Sequence, residues 1–157
     1  MTANRRPRPI ARSAARLGAV QALYQMDIAG TDVGEVLAQF SARASGDSFD
    51  EGQCGEADYK LLMEIVDGVV REQPIIDPTV NRTLDAKWPL TRLDVTLRSI
   101  LRAGAYELMA RIDVPPRVVI SEYLDVAHAF FGAKEPALVN GVLDRLAHNL
   151  RRDEMGR

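Results

Sequence analysis

The chain has a single cysteine, Cys54, among its 157 residues. One thiol excludes an internal disulfide framework and any zinc cluster built on several cysteines. Histidine is almost as scarce: His128 and His148 are the only two, and neither has a partner at metal-ligand spacing. No metal or cofactor is expected. The glycines are scattered and never fall into GxGxxG or GxxxxGK[ST] spacing, so no phosphate-cradling loop is encoded. No apolar run approaches the ~18 residues of a membrane span. The basic N-terminus is not followed by the apolar core of a secretory signal. A cytoplasmic location is the expectation.

Charge is nearly balanced, with a net value of −2, but it is unevenly placed. Residues 1–26 contain Arg5, Arg6, Arg8, Arg12 and Arg16 and no acid, whereas residues 27–67 hold ten acids against Arg43 and Lys60. Arginine concentrated at one end of a near-neutral body is the pattern of a polyanion-binding arm; a solvated tail has the same composition.

The hydrophobic periodicity is helical nearly throughout. From about Ile10 to Asp27, Ile10, Ala14, Leu17, Val20 and Leu23 or Tyr24 recur at steps of three and four and share one face. Arg12 and Arg16, four apart, are set together on another side. Gly30 and Thr31 end this helix and Asp32 caps a second, with Val33, Val36, Leu37 and Phe40 on its inner face. Residues 45–57, SGDSFDEGQCGEA, read as the one long polar loop. A third helix carrying Tyr59, Leu62, Met63, Val66, Val69 and Val70 is expected to stop before Pro74. Asp77 and Pro78 open a short fourth with Val80 and Leu84. After Trp88–Pro89, a fifth carries Leu93, Leu97, Ile100, Leu101, Gly104 and Leu108. A sixth follows Pro115–Pro116 with Ile120, Tyr123, Leu124, Ala127 and Phe131. A seventh begins at Pro136 with Val139, Val142, Leu143, Leu146 and Leu150. No segment alternates like a strand, and there is no internal repeat. The pattern predicts an all-α, compact single-domain bundle of about seven helices over 10–150, a flexible basic arm over 1–9 and a charged tail over 151–157.

Nothing in this sequence argues for catalysis. Cys54 lies among acids, which raise a thiol pKa. Pairs such as Asp50–Glu51 and Asp153–Glu154 read as solvated neighbours in a loop and a tail. The chain reads as a binder and not an enzyme.

Three blocks carry a family resemblance: ARSAARLGAVQALYQMD (Ala11 to Asp27), RSILRAGAYEL (Arg98 to Leu108) followed by DVPPRVVISEYLDVA (Asp113 to Ala127), and LVNGVLDRLA (Leu138 to Ala147). In this order, with Trp88 ahead of the fifth helix, they resemble the NusB family of transcription antitermination proteins from about Ala11 to Leu150. The resemblance implies a seven-helix bundle without catalytic activity. It implies pairing with the ribosomal protein NusE, binding of boxA RNA from ribosomal RNA operons, and entry into an RNA polymerase antitermination complex. A homodimer is also known in the family. Two other functions compete. The chain would be the N-terminal RNA-binding module of a ribosomal RNA cytosine methyltransferase if a catalytic domain followed it, or a purely protein-binding helical dimer.

The resemblance also assigns roles. RNA binding falls to Arg12 and Arg16 in the first helix, with Arg5, Arg6 and Arg8 upstream, and to Tyr24 and Phe130 as aromatic contacts. Ser13 and Ala14 stand where relatives place arginine, and Leu138 stands where the family has phenylalanine. Arg98 and Arg102 share a face near the expected NusE surface, with Leu97 in place of an acid. Periodicity leaves Tyr24 open as a core-edge residue. It makes Phe131 the inward-facing and Phe130 the exposed member of their pair. Tyr106 is expected to pack, and Glu107 to orient a neighbouring arginine.

Overall fold

Apart from Arg98 and Arg102 on one side and Glu107 on another, residues 95–110 are apolar, small or hydroxyl-bearing, which marks a helix enclosed over most of its surface. In the computed structural model, which describes residues 8–44 and 56–156, this segment is the central helix. The elements are α1 (Arg8–Ala29), α2 (Val33–Ala44), α3 (Glu56–Asn81), a 3-10 turn (Leu90–Arg92), α4 (Val95–Ala110), α5 (Pro116–Phe130), α6 (Lys134–Leu150) and α7 (Arg152–Met155). There is no strand among the described residues. Asp94 caps α4 by accepting from the Leu97 amide at 3.1 Å. The helix then buries Leu97, Ile100, Leu101, Ala103, Gly104, Ala105, Tyr106 and Leu108 against α1, α3, α5 and α6.

Small residues bring α1 close to this centre: Ala14, Ala15, Ala19, Val20, Ala22 and Leu23 are buried. Gly30, at φ 68, closes α1 in the left-handed region, with its amide bonded to the Met26 carbonyl. The Asp32 carboxylate then accepts from the Gly34 amide, as expected of a cap. α1 and α4 run antiparallel, because Arg16 meets Glu107 near one end and Asp27 meets Arg98 near the other.

One expectation is corrected. The third and fourth helices are one, α3, which continues through Pro74 and Pro78. Each internal proline removes one ladder hydrogen bond. The fully buried Ile76 and Val80 hold this segment in the core nonetheless, so tertiary packing overrides the local break. The stretch read as a charged tail is docked. Arg151 is buried, donating to Glu154 at 2.7 Å and to the carbonyls of Arg111 and Ile112 at 3.3 and 3.1 Å. Met155 is buried beside it, and its carbonyl accepts from Arg117. At the other end, α1 begins at Arg8, inside the stretch read as the arm. Most of the acidic loop, with Cys54, lies outside the described residues.

Candidate nucleic-acid interface

A carboxylate in the middle of a buried helix needs a cation and further donors, because desolvating it alone is costly. Glu107 of α4 is fully buried, and α1 supplies the cation. Arg16 donates from Nε to Glu107 Oε2 at 2.7 Å and from Nη2 to Oε1 at 2.9 Å, a bidentate fork. Tyr123 of α5 adds its hydroxyl proton to Glu107 Oε2 at 2.6 Å. The remaining Arg16 nitrogen, Nη1, reaches Glu122 Oε1 at 3.3 Å, and Ser13 Oγ donates to that same oxygen at 2.7 Å. Burial opposes the Arg16 charge, but the Glu107 carboxylate more than offsets it and raises the guanidinium's pKa. Burial, reinforced by the negative charge of Glu107, holds the Tyr123 hydroxyl well above its usual pKa, so it remains a donor. No buried side-chain nitrogen or oxygen among the described residues lacks a partner.

This network corrects the pairing of Arg12 with Arg16 on one open side. Arg16 is only 2% exposed and its donors are spent inside the protein, whereas Arg12, one helical turn earlier, is exposed. Arg12 borders a groove of about 300 Å³ whose other lining residues include Asp113, Val114, Pro115, Val118 and Glu122. The groove therefore has an apolar wall from the start of α5 and a cation at its rim. Its acids are partly neutralised: a hydrogen bond from Arg111 holds Asp113 below its usual pKa, and Ser13 and Arg16 occupy Glu122.

The two aromatic candidates are exposed. Tyr24 is 41% exposed on α1. Phe130 is 43% exposed at the last turn of α5. Phe131 is half-buried against the core, its ring centroid 6.5 Å from that of Phe130. On an ideal helix Tyr24 lies about 18 Å along α1 from Arg12, and Phe130 about 18 Å along α5 from Val118. The candidates are thus spread over a surface. Phe130→Ala is expected to change stability by less than about 0.5 kcal/mol while weakening RNA binding. Phe131→Ala should cost about 1–2 kcal/mol, as befits a half-buried ring. Urea denaturation and RNA titration of the two variants check the division, and equal stability losses would contradict it.

Arg98 and Arg102 lie on one face of α4, but their donors serve the fold. Arg98 pairs with Asp27 at 2.9 Å and donates to the carbonyls of Thr91 and Leu93. Arg102 makes a fork to Asp77, at 3.0 and 2.9 Å, and also reaches Asp27. The sequence marks neither carboxylate, on α1 or α3, as an arginine partner; acids facing a pair of helix arginines are visible only in three dimensions. Leu97 is buried. Glu107 does orient an arginine, supplied by α1. Arg5 and Arg6, together with the side chain of Arg8, lie outside the described residues.

The NusB family model matches residues 13–148. The chain is 52% identical over 145 residues to the transcription antitermination protein NusB of Bradyrhizobium sp. (strain ORS 278), covering 92% of this chain and 86% of that protein. It is 54% identical to the protein of the same name from Brucella ovis, over 92% of this chain and 85% of the relative. Among solved structures it is similar to T. maritima NusB, with a TM-score of 0.77 and 27% identity over 93% of this chain and 97% of the other. It is also similar to a chain in a crystal structure of the antitermination factors NusB and NusE with dsRNA, with a TM-score of 0.75 and 25% identity over 88% and 97% of the two chains.

Proposed function

The chain belongs to the NusB family, and on that premise we propose that it is a non-catalytic RNA-binding factor of transcription antitermination that pairs with NusE on boxA RNA. The observation that carries this reading is identity above half, along nearly the whole chain, to relatives named as antitermination proteins. Those relatives are themselves matched over most of their length, which favours this function over that of a methyltransferase module. The fold's likeness to a chain crystallised with NusE and dsRNA supports the same choice over a purely protein-binding dimer. The site of action is the cytoplasm, where transcription takes place; among the described residues no helix is long and apolar enough to cross a membrane.

In this reading Arg12, with Arg5, Arg6 and Arg8 before it, supplies the charge that attracts phosphate, and Tyr24 and Phe130 supply faces for bases. Arg16 supports them from beneath by fixing α1 to α4. Arg98 and Arg102 shape the NusE face by holding Asp27 and Asp77 in place.

Two proteins on one RNA share its binding energy, and their coupling is reciprocal. Titration of labelled boxA RNA is expected to give a lower Kd when NusE is present, and NusE should bind more tightly by the same factor when RNA is present. Unchanged affinities in both directions would overturn the proposal.

A further inference from the structure

A second groove, of about 450 Å³, lies between the turn after α3 and the outer face of α6. Arg82, Thr83, Leu84 and Asp85 form one wall, and Leu138, Gly141 and Arg145 stand on the other. Both arginines are exposed and neither has a carboxylate partner among the described residues. Arg145 is nevertheless held in position, because Nη1 donates to the Thr83 carbonyl at 2.9 Å. Arg82 makes only a 3.3 Å bond to the Thr79 hydroxyl. The one acid in the lining, Asp85, has a carboxylate oxygen occupied by the Lys87 amide at 2.9 Å. The groove therefore offers two guanidiniums with donors to spare and a partly committed counter-charge.

Its position links it to the surface already described. Leu138 belongs to the first turns of α6, which starts four residues after Phe130. Exposed Lys134 lies in between, at an α6 N-terminus that has no side-chain cap and so presents unpaired amides. Gly141 leaves the floor open, since a Cβ there would meet no atom within 4 Å. We propose that Arg82 and Arg145 form a second phosphate-binding site that continues the RNA path from Phe130 across the start of α6. Guanidinium forks match phosphate oxygens, and a Leu84–Leu138 rim accommodates a sugar or base edge between them. The inference rests on the RNA-binding function proposed above and adds a place that the N-terminal arginines do not account for.

The test is the salt dependence of binding of single-stranded boxA RNA, extended by several nucleotides at each end, to the full-length protein with NusE. In single-stranded RNA each lost phosphate contact lowers the slope of log K against log salt by ~0.7. R82Q/R145Q should therefore flatten the slope by ~1.4, and R82K/R145K should retain it. The single variant R82Q, whose residue makes no bond needed by the fold, should lose ~0.7 and keep the wild-type melting temperature. Wild-type slopes in R82Q and in R82Q/R145Q would overturn the proposal. So would a loss of NusE affinity without a change in the RNA slope, which would make the groove a protein contact. Failure of the wild-type protein to bind RNA at all would instead defeat the RNA-binding function itself, and this site with it.

Discussion

Arg16→Ala is expected to destabilise the protein by about 3–5 kcal/mol, the cost of leaving one member of a buried ion pair alone. The variant strands Glu107 in the core with only the Tyr123 hydroxyl to serve it, and removes one of the two donors to Glu122. For a chain of this size the melting temperature should fall on the order of 10 °C. Arg12→Ala, four residues earlier and exposed, should stay within about 0.5 kcal/mol of the parent. The two arginines also separate functionally. Arg12→Ala should reduce the salt slope of RNA binding, whereas the folded fraction of Arg16→Ala should retain it. Replacing the pair together, as Arg16→Met with Glu107→Gln, should recover much of the stability, because the uncompensated charge is gone. Equal stability in the Arg12 and Arg16 variants by chemical denaturation would remove the basis for assigning Arg16 to the fold.

The second large effect is expected at Gly68. A Cβ there would clash with Tyr106 Cζ, Cε1 and the hydroxyl oxygen, so α3 and α4 can approach this closely only while position 68 has no side chain. Alanine is the better helix former by about 1 kcal/mol, yet Gly68→Ala should be net destabilising by about 2 kcal/mol, as a buried ring is forced out of its place. Gly141 provides the internal control. It too is helical, but a Cβ there meets no neighbour within 4 Å, so Gly141→Ala should stabilise by up to about 1 kcal/mol. Urea denaturation of both variants decides the matter. Effects of the same sign would mean that the Gly68 contact is relieved by a cheap movement of Tyr106.

The bundle was legible wherever burial follows a simple helical stripe. On α4 the expected Leu97, Ile100, Leu101, Gly104 and Leu108 are all buried, and on α6 so are Val139, Val142, Leu143 and Leu146. Leu150 departs from its stripe because α6 ends there, and it is 42% exposed. Pro74 and Pro78 misled for a different reason. Proline reports a local preference, and the deep burial of Ile76 and Val80 is a global fact that outweighs it. Arg16 was the residue of the candidate site least open to prediction, since charge and four-residue spacing from Arg12 both suggest an exposed patch. The available clue was at the far end of the ion pair. An acid inside AGAYEL, with apolar neighbours on every side, demands a buried cation, but the sequence does not say which of its arginines provides it.

The Arg16–Glu107 pair spans 91 residues of chain, and that separation has a consequence for the order of events during synthesis. At roughly 5–20 residues per second, Glu107 is added about 5–18 s after Arg16, and Tyr123 later still. For that interval α1 has left the ribosome's catalytic centre with its alanine-rich face and its buried-to-be arginine still without α4 and α5. Until then only α2 and α3 are available to pack against it, and a solitary helix of this length is marginal in water. The first helix to be made is thus not fully secured until α4 and α5 follow, and its final docking closes the two longest-range ion pairs of the described structure, Arg16–Glu107 and Arg16–Glu122. A nascent chain halted before residue 107 should bear its N-terminal arginines on a segment not yet tied to α4 and α5 through Arg16.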